Sequence, residues 1–270
     1  MNPYLPFIEA LENAQAIGRS AAPVTSVRTP LESASKALLF SPHPDDECIT
    51  GLLPLRLTLE AGMQIINVPV TYGSDRARRP ERARELQNAC DFLGWRNQRS
   101  RDDLEPLEAA DICKLLEENK PEIIFFPHEN DWNLRHIETH RVVTEGLLEM
   151  GDNFRCAVAE TEYWGAMSDP NLIVEGNATQ VAELVAALSL HTGEVARNPY
   201  HLLLPAWMQD NVRRGSELVY GQGKAAPKYT FATLYRLRQW NGCGFVSSLT
   251  LGTHISVESN GLKEGKLWKS

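Results

Sequence analysis

The stretch Lys36-Ala-Leu-Leu-Phe-Ser-Pro-His-Pro-Asp-Asp-Glu47 decides the fold, because an apolar run passes directly into a cluster of polar side chains. Residues 36–41 predict a short buried strand. Pro42 and Pro44 end it, since each fixes φ and has no N–H to donate. The acidic residues that follow favour the positive N-terminal end of a helix, which we predict over residues 47–60. A polar cluster therefore lies where a buried strand meets a helix.

Strands and helices alternate through most of the chain, which predicts right-handed crossovers and a mainly parallel sheet. The predicted strands cover residues 36–41, 64–71, 121–127 and 155–160. The predicted helices cover residues 47–60, 79–93, 108–119, 137–149 and 178–190. Pro69 either shortens the second strand or places it at a sheet edge. We predict loops and short strands over residues 196–232, where Pro, Gly and Arg interrupt the pattern.

These elements predict an α/β fold, a Rossmann-like three-layer sandwich with a mainly parallel sheet. Residues 4–17 predict a helical N-terminal extension, and residues 19–35 read as a connector. We therefore divide the chain into an N-terminal helix and connector, 1–35, and a single α/β domain, 36–270, with a C-terminal elaboration that shapes the pocket. Ligands bind such sheets at the carboxyl ends of the strands.

Length and composition are those of an ordinary folded protein. The 270 residues carry a net charge of −8, with a pI near 5.4 and a mean hydropathy of −0.31. This acidic balance disfavours binding to nucleic acid phosphates, and no apolar run reaches the roughly 18 residues of a membrane-spanning helix. Five scattered cysteines without a C-x-x-C pair, and an N-terminus without a secretion signal, lead us to expect a cytoplasmic protein with reduced thiols.

The first polar cluster places an imidazole, His43, beside the carboxylates of Asp45, Asp46 and Glu47. The two aspartates could simply cap a helix, where aspartate is favoured. Adjacent carboxylates repel one another, however, and a shared cation relieves the repulsion. His43 and Asp46, at i and i+3, can chelate one ion, whereas Asp45 points differently and can act as a base on bound water. The cluster predicts a Zn²⁺ site, with another divalent metal as the alternative.

A second polar segment, residues 127–140, follows the third predicted strand. His136 and His140 are four residues apart, which places both on one face of a helix. The alternative is a pair of surface histidines. A catalytic zinc site takes three protein ligands and leaves a fourth position for water, so we expect the third ligand from this segment. His128 and Asp131 are candidates for supporting the ligands or for acid–base chemistry.

Three segments carry motifs of one family. Residues 41–47, Ser-Pro-His-Pro-Asp-Asp-Glu, are similar to (A/S)-H-P-D-D-E, and residues 131–136 are similar to D-x-H-P-D-H. Residues 82–94 are similar to an R-x-x-E helix that ends in Leu-Gly. Together these segments resemble the PIG-L/LmbE-like family of zinc-dependent N-acetylglucosaminyl deacetylases, over residues 36–195. The resemblance implies that His43, Asp46 and His136 bind zinc, that Asp45 is the general base, and that the substrate is an acetamide on a sugar-like scaffold.

Asn133 stands where that family commonly has the first histidine of its second motif. An amide can donate a hydrogen bond to an oxyanion, which makes Asn133 a candidate catalytic residue. It cannot serve as a general acid. His140, His128, or Asp45 after it has taken the proton of water could protonate the leaving amine, and the sequence does not choose among them.

Arginines and tryptophans near the motifs are candidates for substrate binding. Five arginines lie within residues 76–84, which is also the pattern of a solvated helix face. Arg82, by its place in the family-like helix, and Arg76 are the two that we expect to bind substrate hydroxyls, a phosphate or a carboxylate. Trp132 and Trp164 could stack on a sugar ring or pack in the core.

The remaining histidines and glycine-rich segments do not predict a further functional site. His191 and His201 are single histidines near helix or loop ends, and we interpret them as structural. Residues 221–224, Gly-Gln-Gly-Lys, lack the spacing of a phosphate-binding loop, and no G-x-G-x-x-G follows the first strand. There is no G-x-S-x-G nucleophile elbow.

The sequence thus predicts a hydrolase, a metal-dependent deacetylase that removes the acetyl group of an N-acetylated amino sugar, such as an N-acetylglucosamine derivative or glycoside. Two alternatives stay open. The same site could cleave the amide of a thiol–sugar conjugate or of another N-acyl sugar, or the chain could bind carbohydrate without turnover. We expect small-molecule partners, with no nucleic acid and no membrane, and a homo-oligomer stays open.

Overall fold

The computed structural model describes residues 2–249, 251–263 and 265. In this part of the chain, nine strands form one mixed sheet. They are β1 (Lys36–Ser41), β2 (Gln64–Pro69), β3 (Arg96–Asn97), β4 (Ile123–Pro127), β5 (Cys156–Thr161), β6 (Leu172–Gly176), β7 (Phe231–Trp240), β8 (Phe245–Ser247) and β9 (Thr253–Ile255). The helices are α1 (Leu5–Arg19), α2 (Asp46–Ile49), α3 (Leu52–Ala61), α4 (Arg79–Leu93), α5 (Ala109–Asn119), α6 (Leu134–Glu149), α7 (Ala178–Ser189), α8 (Thr192–Arg197) and α9 (Tyr200–Leu218).

The strand order creates a crevice at the carboxyl ends of β1 and β4. The order is β3-β2-β1-β4-β5-β7-β6-β9, with β8 paired to β7. The first five strands in this order are parallel, and β7 runs antiparallel to both β5 and β6. The chain extends the sheet to one side of β1 and then crosses to the other side at β4. Such a switch point is where ligands bind in open α/β sheets.

Side chains of β1 alternate between the two faces of the sheet, as a strand requires. Ala37 and Leu39 pack into the core that α3, α4, α7 and α9 cover, whereas Leu38 and Phe40 pack against α5 and α6. All four side chains are buried, which explains the unbroken apolar run. Helices on both faces of a mostly parallel sheet confirm the predicted fold class.

The prediction of one continuous helix over residues 47–60 is wrong, because Thr50 and Gly51 separate this range into the two helices α2 and α3. The hydroxyl of Tyr235, on β7, lies at the break. It accepts a hydrogen bond from the N–H of Leu53 at 3.0 Å and donates one to the carbonyl of Thr50 at 2.6 Å. A Cβ on Gly51 would lie 2.3 Å from a backbone oxygen of the preceding turn, so glycine is needed there.

The prediction of loops and short strands over residues 196–232 is also wrong, because much of that range is the helix α9. Pro205 lies in its second turn, where the helix loses one backbone hydrogen bond and continues. Gly215 lets the helix approach the sheet, since a Cβ there would lie 2.5 Å from the side chain of Ile173. Packing against the sheet therefore overrides the local signals of proline and glycine.

The N-terminal helix α1 corresponds to the helix predicted over residues 4–17 and packs against α9. None of its residues is buried. The division of the chain at residue 35 stays a prediction. None of the described helices combines the length and the apolar content that crossing a membrane requires.

Candidate active site

Three predicted metal ligands converge at the switch point of the sheet. The ligand atoms of His43, Asp46 and His136 all lie within 4.8 Å of one another. The Oδ2 atom of Asp46 lies 3.3 Å from Nδ1 of His43 and 3.3 Å from Nε2 of His136. His43 lies in the loop after β1, Asp46 is the first residue of α2, and His136 lies in the first turn of α6. The crossing from β1 to β4 thus brings together residues that are far apart in sequence.

Local hydrogen bonds fix the two loops that carry these ligands. The backbone N–H of His43 donates to Oδ2 of Asp46 at 2.9 Å, which holds the i and i+3 residues face to face. Asn133 caps α6, where its Oδ1 accepts a hydrogen bond from the N–H two residues later at 2.9 Å. The N–H of Asn133 donates to Oδ1 of Asp131 at 2.8 Å. This cap fixes where α6 begins and therefore where the imidazole of His136 lies.

The donor set fits a divalent cation. Two imidazole nitrogens and one carboxylate are ligands that zinc and related ions accept. Nε2 of His136 is buried and has no hydrogen-bond partner. Nδ1 of the same ring faces Oδ2 of Asp131 at 3.3 Å, the kind of contact that orients imidazole ligands. Asp131 thus orients the ring through Nδ1, and Nε2 remains available to bind an ion.

The charges at the site also favour a cation. Burial lowers the pKa of His136, but the carboxylates of Asp46 and Asp131 outweigh burial and raise that pKa to about 10. Burial raises the pKa of Asp46, yet His136 and then His43 hold it well below its usual range. The carboxylates therefore create a negative electrostatic potential between the three candidate ligands, and this potential favours the binding of a divalent cation.

Asp45 lies beside the three ligands in a strained conformation. Its φ of 117° falls where residues other than glycine are rare, at a cost of about 1–3 kcal/mol. It lines the same cavity as His43 and Asp46. Burial, and then the Asp46 carboxylate, raise the pKa of Asp45 well above its usual value, against smaller lowering effects of His191 and Arg82. Asp45 is therefore a stronger base than an exposed aspartate.

An open cavity of about 180 Å³ lies over the ligands. Part of its lining is aromatic, because Trp164 and Tyr200 meet edge to face with ring centres 5.7 Å apart. The rest is charged or polar, which suits a ligand with hydroxyl groups. The lining residues are His43, Asp45, Asp46, Arg82, Asn133, Trp164, Glu194, Arg197 and Tyr200.

Arg82 lies where the sequence places a substrate-binding residue, in the lining of this cavity. From α4 it reaches residues 42–45, the loop between β1 and α2, which we call the motif loop. Its Nη2 donates to the carbonyl of Pro44 at 3.0 Å. The same nitrogen lies 3.9 Å from Oδ2 of Asp45, and Nε lies 3.8 Å from the carboxylate of Glu194. Arg82 therefore supports the loop and contributes positive charge to the cavity.

His140 is not brought to the cavity. Its Nδ1 bonds to the carbonyl of Pro127 at 2.9 Å and lies 3.8 Å from Glu160, and its ring packs against two phenylalanines. Burial lowers the pKa of His140. His140 lies one helical turn, about 5.4 Å, beyond His136. At that position it contacts Glu160 and the two phenylalanines instead of the candidate metal ligands. The catalytic role predicted for His140 therefore lacks support from the geometry.

Arg76 also lies away from the cavity. Its side chain is 77% exposed and lies 3.3 Å from Glu105. Arg76 lies three residues before α4 begins, whereas Arg82 is the fourth residue of α4 and reaches the carbonyl of Pro44. The solvated-surface interpretation of the arginine run fits Arg76 better than the predicted role in substrate binding.

His128 and the two tryptophans hold the loop that lines the cavity. Nε2 of His128 bonds to the carbonyl of Gly165 at 2.8 Å, so this ring nitrogen is already engaged. The indole N–H of Trp132 donates to the carbonyl of Trp164 at 2.6 Å. Trp164 lines the cavity, whereas Trp132 is largely exposed.

The part of the cavity that α8 and α9 supply was not predicted from the sequence. Glu194 and Arg197, both on α8, and Tyr200, at the start of α9, line the cavity but belong to no motif. Glu194 accepts hydrogen bonds from Arg78 at 2.9 Å and from Arg197 at 2.5 Å. Arg197 is three residues from Glu194 on α8, but Arg78 directly precedes α4 and is far away in the sequence. Only the folded chain brings α4 and α8 together at the cavity, so no motif identifies these lining residues.

Two further groups of possible metal ligands occur among the described residues, and neither lines the cavity. In one, Glu129 and Glu160 flank His140, but Arg236 forms ion pairs with both glutamates and supplies the positive charge. The other is the fully buried group of Glu47, Cys48 and His191. All five cysteines of the chain are free thiols.

Residues 38–147 match the model of the family described as "PIG-L: GlcNAc-PI de-N-acetylase". The resemblance that the motifs predict is thereby confirmed over the segment that carries β1, β4 and the three candidate ligands. No curated protein matches the sequence.

Solved structures with different activities share the fold. GalB, the 4-carboxy-2-hydroxymuconate hydratase from Pseudomonas putida KT2440, matches with a TM-score of 0.55 at 16% identity, over 75% of this chain and 95% of its own. An inhibitor complex of N,N'-diacetylchitobiose deacetylase from Pyrococcus horikoshii matches with a TM-score of 0.53 at 17% identity, over 87% and 93%. The zinc-inhibited form of teicoplanin deacetylase Orf2 gives 0.54 at 14% identity, over 77% and 99%. At these identities the likeness is one of fold.

Proposed function

We propose that this chain, whose residues 38–147 match the PIG-L family, is a metal-dependent hydrolase that releases acetate from an N-acetylated amino sugar or a conjugate of one. The observation that carries the proposal is the convergence of His43, Asp46 and His136 on one point, with Asp45 in the same cavity. The family match supports the same reaction class. A diacetylchitobiose deacetylase shows that the fold can carry such a reaction.

His43, Asp46 and His136 would hold the ion, which we propose to be Zn²⁺, with another divalent metal as the alternative. Two histidines and one carboxylate leave a position for water. Nε2 of His136, which is buried, forms no hydrogen bond and lies 3.3 Å from Oδ2 of Asp46, supports this assignment. When bound, the ion supplies Lewis acidity that polarises a carbonyl and lowers the pKa of water. Asp131 keeps the imidazole of His136 oriented through the contact at Nδ1.

Asp45 is proposed as the group that takes a proton from the attacking water. Its raised pKa makes it a stronger base than an exposed aspartate, and it lines the cavity next to two ligands. The same carboxyl group, once protonated, can return the proton to the leaving amine. Of the three acids considered, His140 lies in another cluster and Nε2 of His128 is engaged by a carbonyl. We therefore assign both proton transfers to Asp45.

Asn133 is proposed to stabilise the oxyanion that forms when water attacks the amide. Its Oδ1 is engaged in capping α6, so its NH₂ group remains to donate a hydrogen bond, and the residue lines the cavity.

The remainder of the cavity suits a sugar ring that carries hydroxyl groups. Trp164 and Tyr200 supply aromatic faces, which pack on the apolar faces of sugars, and Arg82 supplies donors for hydroxyl oxygens. We therefore assign substrate binding to Arg82 rather than to Arg76. A small-molecule glycoside or amino sugar as the partner, and a cytoplasmic location, are part of the proposal.

Acetate release from a panel of N-acetylglucosamine-type sugars and glycosides tests this function. The zinc-loaded protein should release acetate and a free amine in equal amounts. Asp45→Asn should lose about 10²–10⁴-fold in kcat while it retains one metal ion per chain. His140→Ala serves as the matched control, since it removes a nearby carboxylate-paired histidine that does not line the cavity, and it should keep most of the activity.

The outcomes separate the proposal from its alternatives. Release of another acid from an N-acyl sugar, or cleavage of a thiol–sugar conjugate, would keep the machinery and change the substrate. Sugar binding without product in the metal-loaded protein would favour a carbohydrate-binding protein. Since a hydratase shares the fold, addition of water across a carbon–carbon double bond without amide cleavage would reject the hydrolase. An Asp45→Asn protein with normal turnover would reject the assigned base.

A further inference from the structure

His191 and Glu47 form a fully buried pair directly behind the strained residue Asp45. Nε2 of His191 lies 2.7 Å from Oε1 of Glu47, and neither side chain is exposed to solvent. The other carboxylate oxygen of Glu47, Oε2, accepts a hydrogen bond from the backbone N–H of Asp45 at 2.9 Å. A chain of two hydrogen bonds therefore connects a histidine near α8 to the backbone of the proposed base.

The backbone of Asp45 needs such support. A φ of 117° is unfavourable for a residue with a side chain, and a conformation of this kind persists only where the surroundings over-determine it. The hydrogen bond from Asp45 to Glu47 holds the N–H in the required direction. Because a carboxylate only accepts hydrogen bonds, Nε2 of His191 must carry the proton that it shares with Glu47.

The position of His191 is itself fixed from two sides. Its N–H bonds to the carbonyl of Leu188 in α7 at 3.1 Å, and its own carbonyl accepts the N–H groups of Glu194 and Val195 in α8. Glu85 of α4 accepts hydrogen bonds from the start of α8, at the hydroxyl of Thr192, at 2.7 Å. The backbone of His191 is thus anchored between α7 and α8, and of these two helices α8 also lines the cavity.

We propose that His191 is a positioning residue: through Glu47 it holds Asp45 in the strained conformation that directs its carboxylate at the cavity. This inference rests on the proposed role of Asp45 as the base. His191 belongs neither to the lining of the cavity nor to the candidate ligand set, so it acts on the site through Asp45. It also gives Glu47, the last residue of the first motif, a function other than metal binding or helix capping.

The donor at Nε2, rather than the bulk of the ring, should matter. His191→Gln can place an amide nitrogen near the position of Nε2, whereas His191→Leu fills similar space and has no donor. We expect His191→Gln to keep kcat within about threefold of the wild type. In His191→Leu the loss of the donor should let Asp45 relax, and a misplacement of about 1 Å can cost up to about 100-fold in kcat. KM and metal content should stay unchanged.

The matched control is His254→Leu, because His254 also faces a carboxylate, that of Glu175 at 3.4 Å, but lies on β9. A purely structural role for His191 would lower stability in both leucine variants and leave kcat per folded, metal-loaded chain unchanged in both. If His191→Leu fails to fold, His191→Asn takes its place, since the shorter amide cannot reach Glu47 from the same backbone.

Crystal structures of the variants give a second readout that does not depend on turnover. The φ of Asp45 should stay near its wild-type value in His191→Gln and become negative in the variant without the donor. Normal kcat in His191→Leu, or an equal loss in His191→Gln, would overturn the inference, as would an unchanged Asp45 in the leucine variant. Failure of the proposed function looks different: the wild type would release no acetate, or Asp45→Asn would be fully active, whatever the His191 variants do.

Discussion

Replacing Asp131 with asparagine should weaken metal binding while the fold stays intact. Oδ1 of Asp131 accepts the N–H of Asn133 at 2.8 Å, and Oδ2 faces Nδ1 of His136 at 3.3 Å. Asparagine keeps the first acceptor, so α6 should still begin at the same residue. Its NH₂ group then meets the N–H at Nδ1, and the imidazole proton must move to Nε2, the atom that we expect to bind the ion.

The expected loss follows from that contact. Removing a carboxylate that orients a ligand histidine costs about 10–100-fold in metal affinity, which is about 1.4–2.8 kcal/mol. Asp131 is buried, so water cannot replace the lost acceptor. Competition for Zn²⁺ against a chromophoric chelator at neutral pH measures the change, with urea unfolding as the check on the fold.

Asp103→Asn is the control for this experiment, because Asp103 is about half exposed and pairs with Arg101. It should bind Zn²⁺ like the wild type. If Asp131→Asn also binds Zn²⁺ with wild-type affinity, the contact between Asp131 and Nδ1 of His136 does not orient a metal ligand. That result would refute the assignment of His136 as a ligand supported by Asp131.

Three further results are expected. In metal-free protein the pKa of His136 is raised from 6.5 to about 10. The protonated imidazole therefore contributes its full stabilisation below pH 6.5, and this stabilisation is lost as the pH rises through about 10. The free energy of unfolding in urea should fall between these pH values, and His136→Gln should abolish the fall. Arg82→Lys should raise KM and lower the free energy of unfolding by about 1–2 kcal/mol, since the hydrogen bond to the motif loop is weakened; unchanged kinetics would argue against substrate binding. Gly165→Ala should cost about 1–3 kcal/mol by urea unfolding and weaken metal binding, because its Cβ would lie 2.7 Å from Cα of Asp131; an unaffected metal affinity would mean that this loop does not control the site.

The elements nearest the site were predictable because their signals are local. The strand over residues 36–41 and the helix over residues 79–93 match β1 and α4 in both bounds. A buried parallel strand reads as an unbroken apolar run, and Gly94 ends α4 in the left-handed conformation that favours glycine. The two motif loops follow such strands, so the convergence of His43 and His136 could be inferred from the order of the elements.

The rest depended on contacts between distant parts of the chain. Tyr235 breaks a helix from across the sheet, and packing against the sheet keeps α9 helical despite Pro205. His140 shares a helix face with His136 by spacing, yet one turn carries it to Glu160. His191 carried no motif, and its pairing with Glu47 joins residues that only the folded chain brings together. The division at residue 35 and the roles of the site residues stay predictions.

Diffraction from a crystal of the zinc-loaded protein, measured on both sides of the zinc absorption edge, shows directly which residues bind the ion. We expect one anomalous peak in contact with His43, Asp46 and His136, at about 2.0–2.2 Å from the coordinating nitrogen and oxygen atoms. A fully zinc-loaded crystal without a peak there, or with its peak at the cluster of Glu129, His140 and Glu160, would contradict this expectation.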